Sequence, residues 1–327
     1  MFMIETTFQA LQQEVLSAYE RIHPYIVKTP LEESLTLSTG DQKVSLKLEC
    51  VQTTRSFKLR GATNKILSLS QEERSAGIIA VSSGNHGAAV SYAGKKLGIK
   101  ETLIFVPSVT PREKTDKIEY YGGTVKIVGD NYDETHSIGM SYVSEHGMTY
   151  VDAYDKDPLV YAGQGTVGVE LLQQDPTIDT VLVPIGGGGL ITGISAAVKA
   201  VNPNIKVIGL QTEACPAMKA SIEENIFYDE YPIDASICEA LVGGVGELAF
   251  ELNKEAIDDI IIVTEENIRK AVRHMVLKEK VIAEPSSCIG VAALLQDRSR
   301  IEGNNVAIVV SGGNISEELL SDLMCGQ

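Results

Sequence analysis

The chain has 327 residues, with 44 acidic against 28 basic side chains and a formal net charge of −16. That balance excludes a nucleic-acid binder, which needs clustered Lys and Arg at phosphates, and no stretch reaches the ~18 apolar residues of a membrane span. The length suits two domains at roughly 150 residues each. The five cysteines, Cys50, Cys215, Cys238, Cys288 and Cys325, show no metal or redox spacing and fit a reducing cytoplasm.

Met1-Phe2-Met3-Ile4-Glu5 has no basic n-region and no long apolar run, so it does not read as a signal peptide. Residues 6–22 carry Phe8, Leu11, Val15, Ala18, Tyr19 and Ile22 at helical spacing, with Thr6 or Thr7 as cap and Pro24 as stop. A strand is expected at 45–49 and a helix at 60–69. Then the pattern alternates: strand 78–81, helix 86–97, strand 103–106, helix 113–121, strand 125–128, helix 133–146. A second series follows, with strand 149–151, helix 163–173, strand 181–185 and a helix opened by Gly186–Gly189 and running to 201. Strands at 207–210 and 258–263, helices at 265–277 and 286–295, and a strand at 306–310 complete it. Such alternation means parallel sheets with helical crossovers, here two of them. Residues 216–245 are the least regular and read as a loop able to move.

Three polar or glycine-rich turns follow apolar strands directly: Ser82-Ser83-Gly84-Asn85-His86-Gly87, Gly186-Gly187-Gly188-Gly189-Leu190 and Ser311-Gly312-Gly313-Asn314. Ligands of open α/β sheets sit at such strand ends. Four consecutive glycines at a helix start exceed what a turn needs and present backbone N–H groups to one anion. No Gly-Lys-Ser/Thr follows, so this is not a nucleotide P-loop, and the spacing is not that of a dinucleotide site. The Ser82–Gly87 turn offers hydroxyls, an amide and backbone donors that suit a carboxylate or a phenolic oxygen, although Ser and Asn also cap helices. Lys58, within Ser56-Phe57-Lys58-Leu59-Arg60-Gly61-Ala62, would alone pass for a surface lysine. With the three turns it becomes the covalent anchor of an aldehyde cofactor bearing a phosphate.

This set resembles the fold type II pyridoxal 5′-phosphate enzymes, specifically the serine/threonine dehydratase and serine racemase group. The lysine motif, the serine–asparagine loop, the tetraglycine loop, Glu284-Pro285-Ser286 and Ser311-Gly312-Gly313-Asn314 occur in that group's order, over almost the whole chain. The resemblance implies two open twisted α/β domains of the tryptophan synthase β-like type. Residues 1–66 and 155–327 would form the large cofactor domain and 67–154 a small mobile one. It implies Lys58 as Schiff-base lysine and base at Cα, Phe57 beside the ring, Asn85 on the 3′ oxygen, Gly186, Gly187, Gly188, Gly189 and Leu190 around the phosphate, and Ser311 at the pyridine nitrogen. Gly244, Glu284 and Gly312 complete the cofactor shell. Ser82, Ser83, Asn85 and His86 would hold the substrate carboxylate.

The implied activity is dehydration of L-threonine or L-serine to a 2-oxo acid and ammonia, by a homodimer or homotetramer. Three other readings stay open. One is a racemase, with Ser83 as the acid/base opposite Lys58. Another is a dehydratase for a different 3-hydroxy amino acid such as threo-3-hydroxyaspartate or 3-phenylserine. The last is a cofactor-binding protein without turnover. Some positions depart from the group: Arg55 stands where Gly is common, Gly243-Gly244 replaces Asp-Gly, and Ser286-Ser287-Cys288 replaces a commoner Ser-Gly-Ala. Gln211 and Ala217 replace the carboxylates of the racemase-type cation site, so no metal is expected. The chain ends about thirteen residues after Asn314, so no isoleucine-binding domain and no isoleucine inhibition are expected.

Overall fold

Ten strands form two sheets in the computed structural model, which describes residues 6–325. The expectation about a signal peptide at Met1–Glu5 lies outside the described residues. The strands are β1 (Leu31–Glu33), β2 (Lys43–Leu48), β3 (Ile78–Val81), β4 (Thr102–Val106), β5 (Thr124–Ile127), β6 (Thr149–Tyr150), β7 (Thr180–Pro184), β8 (Lys206–Thr212), β9 (Asp259–Val263) and β10 (Asn305–Val310). The larger sheet runs β1-β2-β10-β7-β8-β9 and the smaller β5-β4-β3-β6. Every pairing is parallel except β1 with β2 at one edge.

Parallel strands are covered on both faces, and these read as continuous apolar runs for that reason. β3, β4, β7 and β10 are buried at every residue. On one face of the larger sheet lie the helices Phe8–Ile22, Pro158–Gln174 and Gly189–Val201, packed through Leu11, Val15, Val167, Leu171, Ile191 and Ile194. On the other lie Glu265–His274 and Pro285–Asp297, through Ile268, Val272, Ile289 and Val291. The smaller sheet is likewise sandwiched.

The helix Lys58–Leu67 joins the two layers. It crosses Pro158–Gln174 almost backbone to backbone: a Cβ on Gly163 would lie 2.6 Å from the Gly61 Cα. That helix therefore enters the interior at a fixed depth, with its first residue, Lys58, where the two sheets' C-terminal edges face each other. The parallel register aligns these edges. Val310 of β10 pairs with Leu48 of β2, and β10 pairs in turn with β7. The turns after β2, β7 and β10 consequently emerge at one edge, and the turn after β3 meets them through Asn85, which bonds Glu284 and Asn314. The stretch expected to be irregular contains a helix, Ala217–Glu224, before an irregular segment up to residue 246.

Candidate active site

Two backbone links splice the lysine motif to the turn after β10. Ser56 bridges Gly312, and the Phe57 N–H donates to the Ser311 carbonyl at 3.0 Å. The Lys58 Nζ donates to the Ala153 carbonyl at 2.8 Å and lies 5.4 Å from the Phe57 ring centroid and 5.8 Å from that of Tyr154. Burial lowers its pKa to about 8, with Asp152 pulling in the opposite direction. At neutral pH roughly a tenth of such amines are free base, against fewer than about one in a thousand for an ordinary lysine. Arg55 adopts φ 61°, the left-handed region, which explains why a glycine suits that place; its side chain is exposed.

The turn after β3 begins the helix Asn85–Lys96. Ser82 and Ser83 are half-buried, and the Ser82 Oγ accepts the Gly84 N–H at 3.2 Å. The Ser83 hydroxyl has no partner among the described residues. Asn85 Nδ2 donates to Glu284 Oε1 at 2.9 Å, which leaves its second amide hydrogen free. His86 is buried, and its Nε2 bonds the Val151 carbonyl at 2.8 Å, so Nε2 carries the proton. Burial, seconded by Lys58, pushes its pKa down to about 4. The ring is neutral, and Nδ1 is a buried acceptor without a partner among the described residues.

The glycine loop after β7 is shaped by close contacts. A Cβ on Gly187 would lie 2.1 Å from the Tyr154 ring, and Gly188 has φ 92°. Among the described residues, the N–H groups of Gly186, Gly187, Gly188 and Gly189 donate to no turn, loop or cap carbonyl, and they sit at the N-terminus of a 13-residue helix. Leu190 places its side chain in the core and contributes to the cleft only a backbone N–H. Gly244 is pressed against the Asp229 carbonyl, and Gly312 against the Glu284 carboxylate, so both are backbone positions. The Ser311 Oγ is 2.9 Å from the Ser287 Oγ, and Ser287 also accepts the Gly312 N–H at 2.6 Å. Cys288 is fully buried with its thiol pushed up by burial, which fits packing rather than chemistry.

Several contributors were missed by sequence reasoning. The strap 151–154 supplies the carbonyls that hold His86 and Lys58. It is anchored by Asp152, whose carboxylate takes the N–H groups of Tyr154, Asp155 and Lys156 at 2.9–3.0 Å. Beneath Lys58, Arg60 bonds both Glu49 and Glu170, and Lys47 bonds Glu170 at 2.6 Å, all fully buried. No local signal marks these pairs, because 11 to 123 residues separate the partners.

A half-buried amine of lowered pKa, a set of free N–H groups at a helix start, a hydroxyl and a spare amide hydrogen are brought together. That donor set fits an aldehyde carrying a phosphate, a pyridine nitrogen and an ionisable oxygen. The sequence profile of the family described as pyridoxal-phosphate dependent enzyme matches residues 22–312. The chain belongs to this family. Its cofactor is pyridoxal phosphate. Among pyridoxal-phosphate enzymes, the catabolic L-threonine dehydratase of Staphylococcus aureus is 40% identical over 308 residues, 92% of this chain and 88% of that one. The processed threonine deaminase isoform 2 of Solanum lycopersicum superposes with a TM-score of 0.90 at 30% identity, covering 98% of this chain and 94% of that one. Maize serine racemase gives 0.88 at 33%, covering 96% of each. The two-sheet architecture expected of fold type II is thereby shown.

At the place of the racemase-type cation, Gln211 Oε1 accepts the Lys219 N–H at 2.9 Å, Ala217 is in the core, and Glu213 accepts the Glu265 N–H at 2.9 Å. Among the described residues no group of three or more His, Cys, Asp or Glu is placed to hold a metal, and no helix is long and apolar enough to cross a membrane.

Proposed function

We propose that the chain is a pyridoxal-phosphate-dependent ammonia-lyase that converts L-threonine and L-serine to a 2-oxo acid and ammonia by α,β-elimination. The 40% identity to an L-threonine dehydratase over 92% of the chain carries this reading. The lysine geometry agrees with it. The cofactor, when bound, supplies the electron sink for charge developing at Cα.

The protein supplies placement and proton movement. Lys58 is the residue to join the aldehyde, with Phe57 against the ring and Gly186 to Leu190 taking the phosphate on backbone N–H groups at the helix N-terminus. Asn85 has one amide hydrogen to give to the 3′ oxygen, and Glu284 holds the other. Ser311 offers the pyridine nitrogen a hydroxyl, held by Ser287. A neutral hydroxyl there, unlike a carboxylate, would not hold a proton on that nitrogen, which would favour loss of the β-hydroxyl over transamination. Gly244 and Gly312 would offer the cofactor backbone alone, because Asp229 and Glu284 leave no room for a side chain at either place. Ser82, Ser83 and the backbone N–H groups of Asn85 and His86 take the substrate carboxylate at the start of Asn85–Lys96. The neutral His86 ring cannot act as a counter-cation there. Once its amine is released, Lys58 is low enough in pKa to take the Cα proton at Nζ.

The residues 67–154, which carry the smaller sheet, are the part we infer to move as substrate enters. We also infer a homodimer or homotetramer, checked by size-exclusion with light scattering. A cytoplasmic location agrees with cysteines that are all free, four of them buried. The deciding experiment is 2-oxo acid release over L-threonine, L-serine, threo-3-hydroxyaspartate and 3-phenylserine, with Lys58→Ala alongside. Threonine or serine should be turned over and Lys58→Ala should be at background. A Lys58→Ala enzyme with full turnover would remove the reading.

A second reading, racemisation, is favoured by one observation. The Ser83 hydroxyl is unengaged among the described residues, in a chain that also superposes on a serine racemase.

A further inference from the structure

Lys117 lies on the helix Arg112–Tyr120 of the smaller layer, outside every motif in the sequence. It is half-buried, and its ammonium donates to Asn314 Oδ1 in the larger layer. Asn314 Nδ2 in turn donates to Asn85 Oδ1 and, at 3.2 Å, to the Thr54 carbonyl. Asn85 Nδ2 donates to Glu284 Oε1 at 2.9 Å, and the Asn314 backbone N–H donates to Glu284 Oε2 at 3.2 Å. The chain of bonds begins on a cation, passes through two amides and ends on a carboxylate.

An amide side chain has one accepting and one donating end, and its neighbours decide which faces where. An ammonium only donates, so Asn314 must turn its oxygen to Lys117. Its NH2 then faces Asn85, which must turn its own oxygen back. The Asn85 NH2 is thereby aimed at Glu284 and at the cleft. A donor-only ammonium at one end and a doubly accepting carboxyl at the other, with the Thr54 carbonyl on the Asn314 NH2, fix both amides in one orientation and polarise each bond along the chain; burial pushes the Glu284 pKa up, and the bonds from Asn85 and Asn314 resist that shift. Burial lowers the Lys117 pKa, Glu284 raises it and Arg55 lowers it, so Glu284 and Arg55 both stand within electrostatic reach of the ammonium.

We propose that Lys117 is a positioning residue for the cofactor site: through Asn314 it holds the Asn85 amide with an N–H toward the cofactor's 3′ oxygen, and it ties the smaller layer to the larger. This rests on the reading that Asn85 touches that oxygen. A strong donor favours the anionic form of the oxygen, and removing the cation weakens the donor. Lys117 then acts on the cofactor without touching it.

The test uses holoenzyme of wild type, Lys117→Met, Lys117→Arg, Asn85→Ala and Lys114→Met. Lys114 bridges the same seam to Glu239 at 2.8 Å but lies outside the amide chain. The readouts are the near-ultraviolet and visible absorbance of bound cofactor and its dissociation constant. Lys117→Met should move absorbance toward the shorter-wavelength form with a protonated 3′ oxygen and weaken cofactor binding about tenfold. Lys117→Arg, still donor-only, should restore most of both, and Lys114→Met should resemble wild type. If Lys117→Met keeps the wild-type spectrum and affinity while Asn85→Ala loses them, the Asn85 reading stands and this proposal falls. If Asn85→Ala also leaves the spectrum unchanged, the Asn85 contact falls, and the proposal with it. A Lys114→Met effect equal to that of Lys117→Met would reduce Lys117 to an ordinary seam contact and overturn its role.

Discussion

Lys58 owes its chemistry to burial more than to any neighbouring charge. Desolvation brings its pKa to about 8, and Asp152 resists that shift. Only the uncharged amine attacks an aldehyde. Cofactor capture by the stripped enzyme should therefore accelerate as pH rises through about 8 and level off above it. Stopped-flow absorbance measures this, and a rate still climbing towards pH 10 would show an ordinary lysine. Ser83 decides between the two activities. In a dehydratase it only helps hold the substrate carboxylate, so Ser83→Ala should mainly raise KM. In a racemase it must move a proton opposite Lys58, and the same change should erase L-to-D conversion while sparing elimination. Chiral analysis of recovered serine and threonine, with 2-oxo acid release in parallel, separates the outcomes. We expect the KM effect, because Gln211 and Ala217 stand where the racemase-type carboxylates would be.

The helix Lys58–Leu67 is held from beneath by charges rather than by apolar contacts alone. Lys47, Glu49, Arg60 and Glu170 are fully buried and balance to zero. Thr29 adds a hydroxyl to Glu49, and its carbonyl accepts from Lys47 at 2.7 Å. Removing one member of such a set strands a charge in low dielectric, at a cost of about 3–5 kcal/mol. Glu170→Gln should thus lose about that much unfolding free energy by denaturant titration. Adding Lys47→Met to it restores the charge balance, so the double variant should be more stable than Glu170→Gln alone. A double variant less stable than the single would mean that shape, not charge balance, governs the cluster. At this scale, one missed element did carry a signal. The helix Gln71–Ala76 starts with a capping box, Ser70 with Glu73, that is readable from spacing.

The cleft is assembled from both layers, so its parts come together only when the layers do. Asn85 meets Glu284 at 2.9 Å, the Tyr121 hydroxyl meets the Thr53 carbonyl at 3.1 Å, and Lys114 meets Glu239 at 2.8 Å. Filling the cleft should favour the joined arrangement and quieten the helix Arg112–Tyr120. Hydrogen exchange of its amides should be slower in holoenzyme than in stripped enzyme, and slower again with a non-reacting substrate analogue. Equal exchange in all three states would mean the layers are joined irrespective of ligand.

By itself the sequence determined the alternating strands and helices, the three turns and the lysine. Each is a local signal: β-branched runs such as Ile78–Val81 and Asn305–Val310, and glycines in a row, are legible within a few residues. Family resemblance added roles for those residues. Tertiary structure alone decided the rest. It placed the Ala153 carbonyl on Lys58 and left His86 neutral beside Val151. It gathered Arg60, Glu49, Glu170 and Lys47 into one buried set, and it linked Lys117 through Asn314 to Asn85. The partners Lys58 and Ala153 stand 95 residues apart and Lys117 and Asn314 stand 197 apart. Hydrogen-bond direction and burial are properties of neighbours in space, and no spacing rule along a chain encodes them.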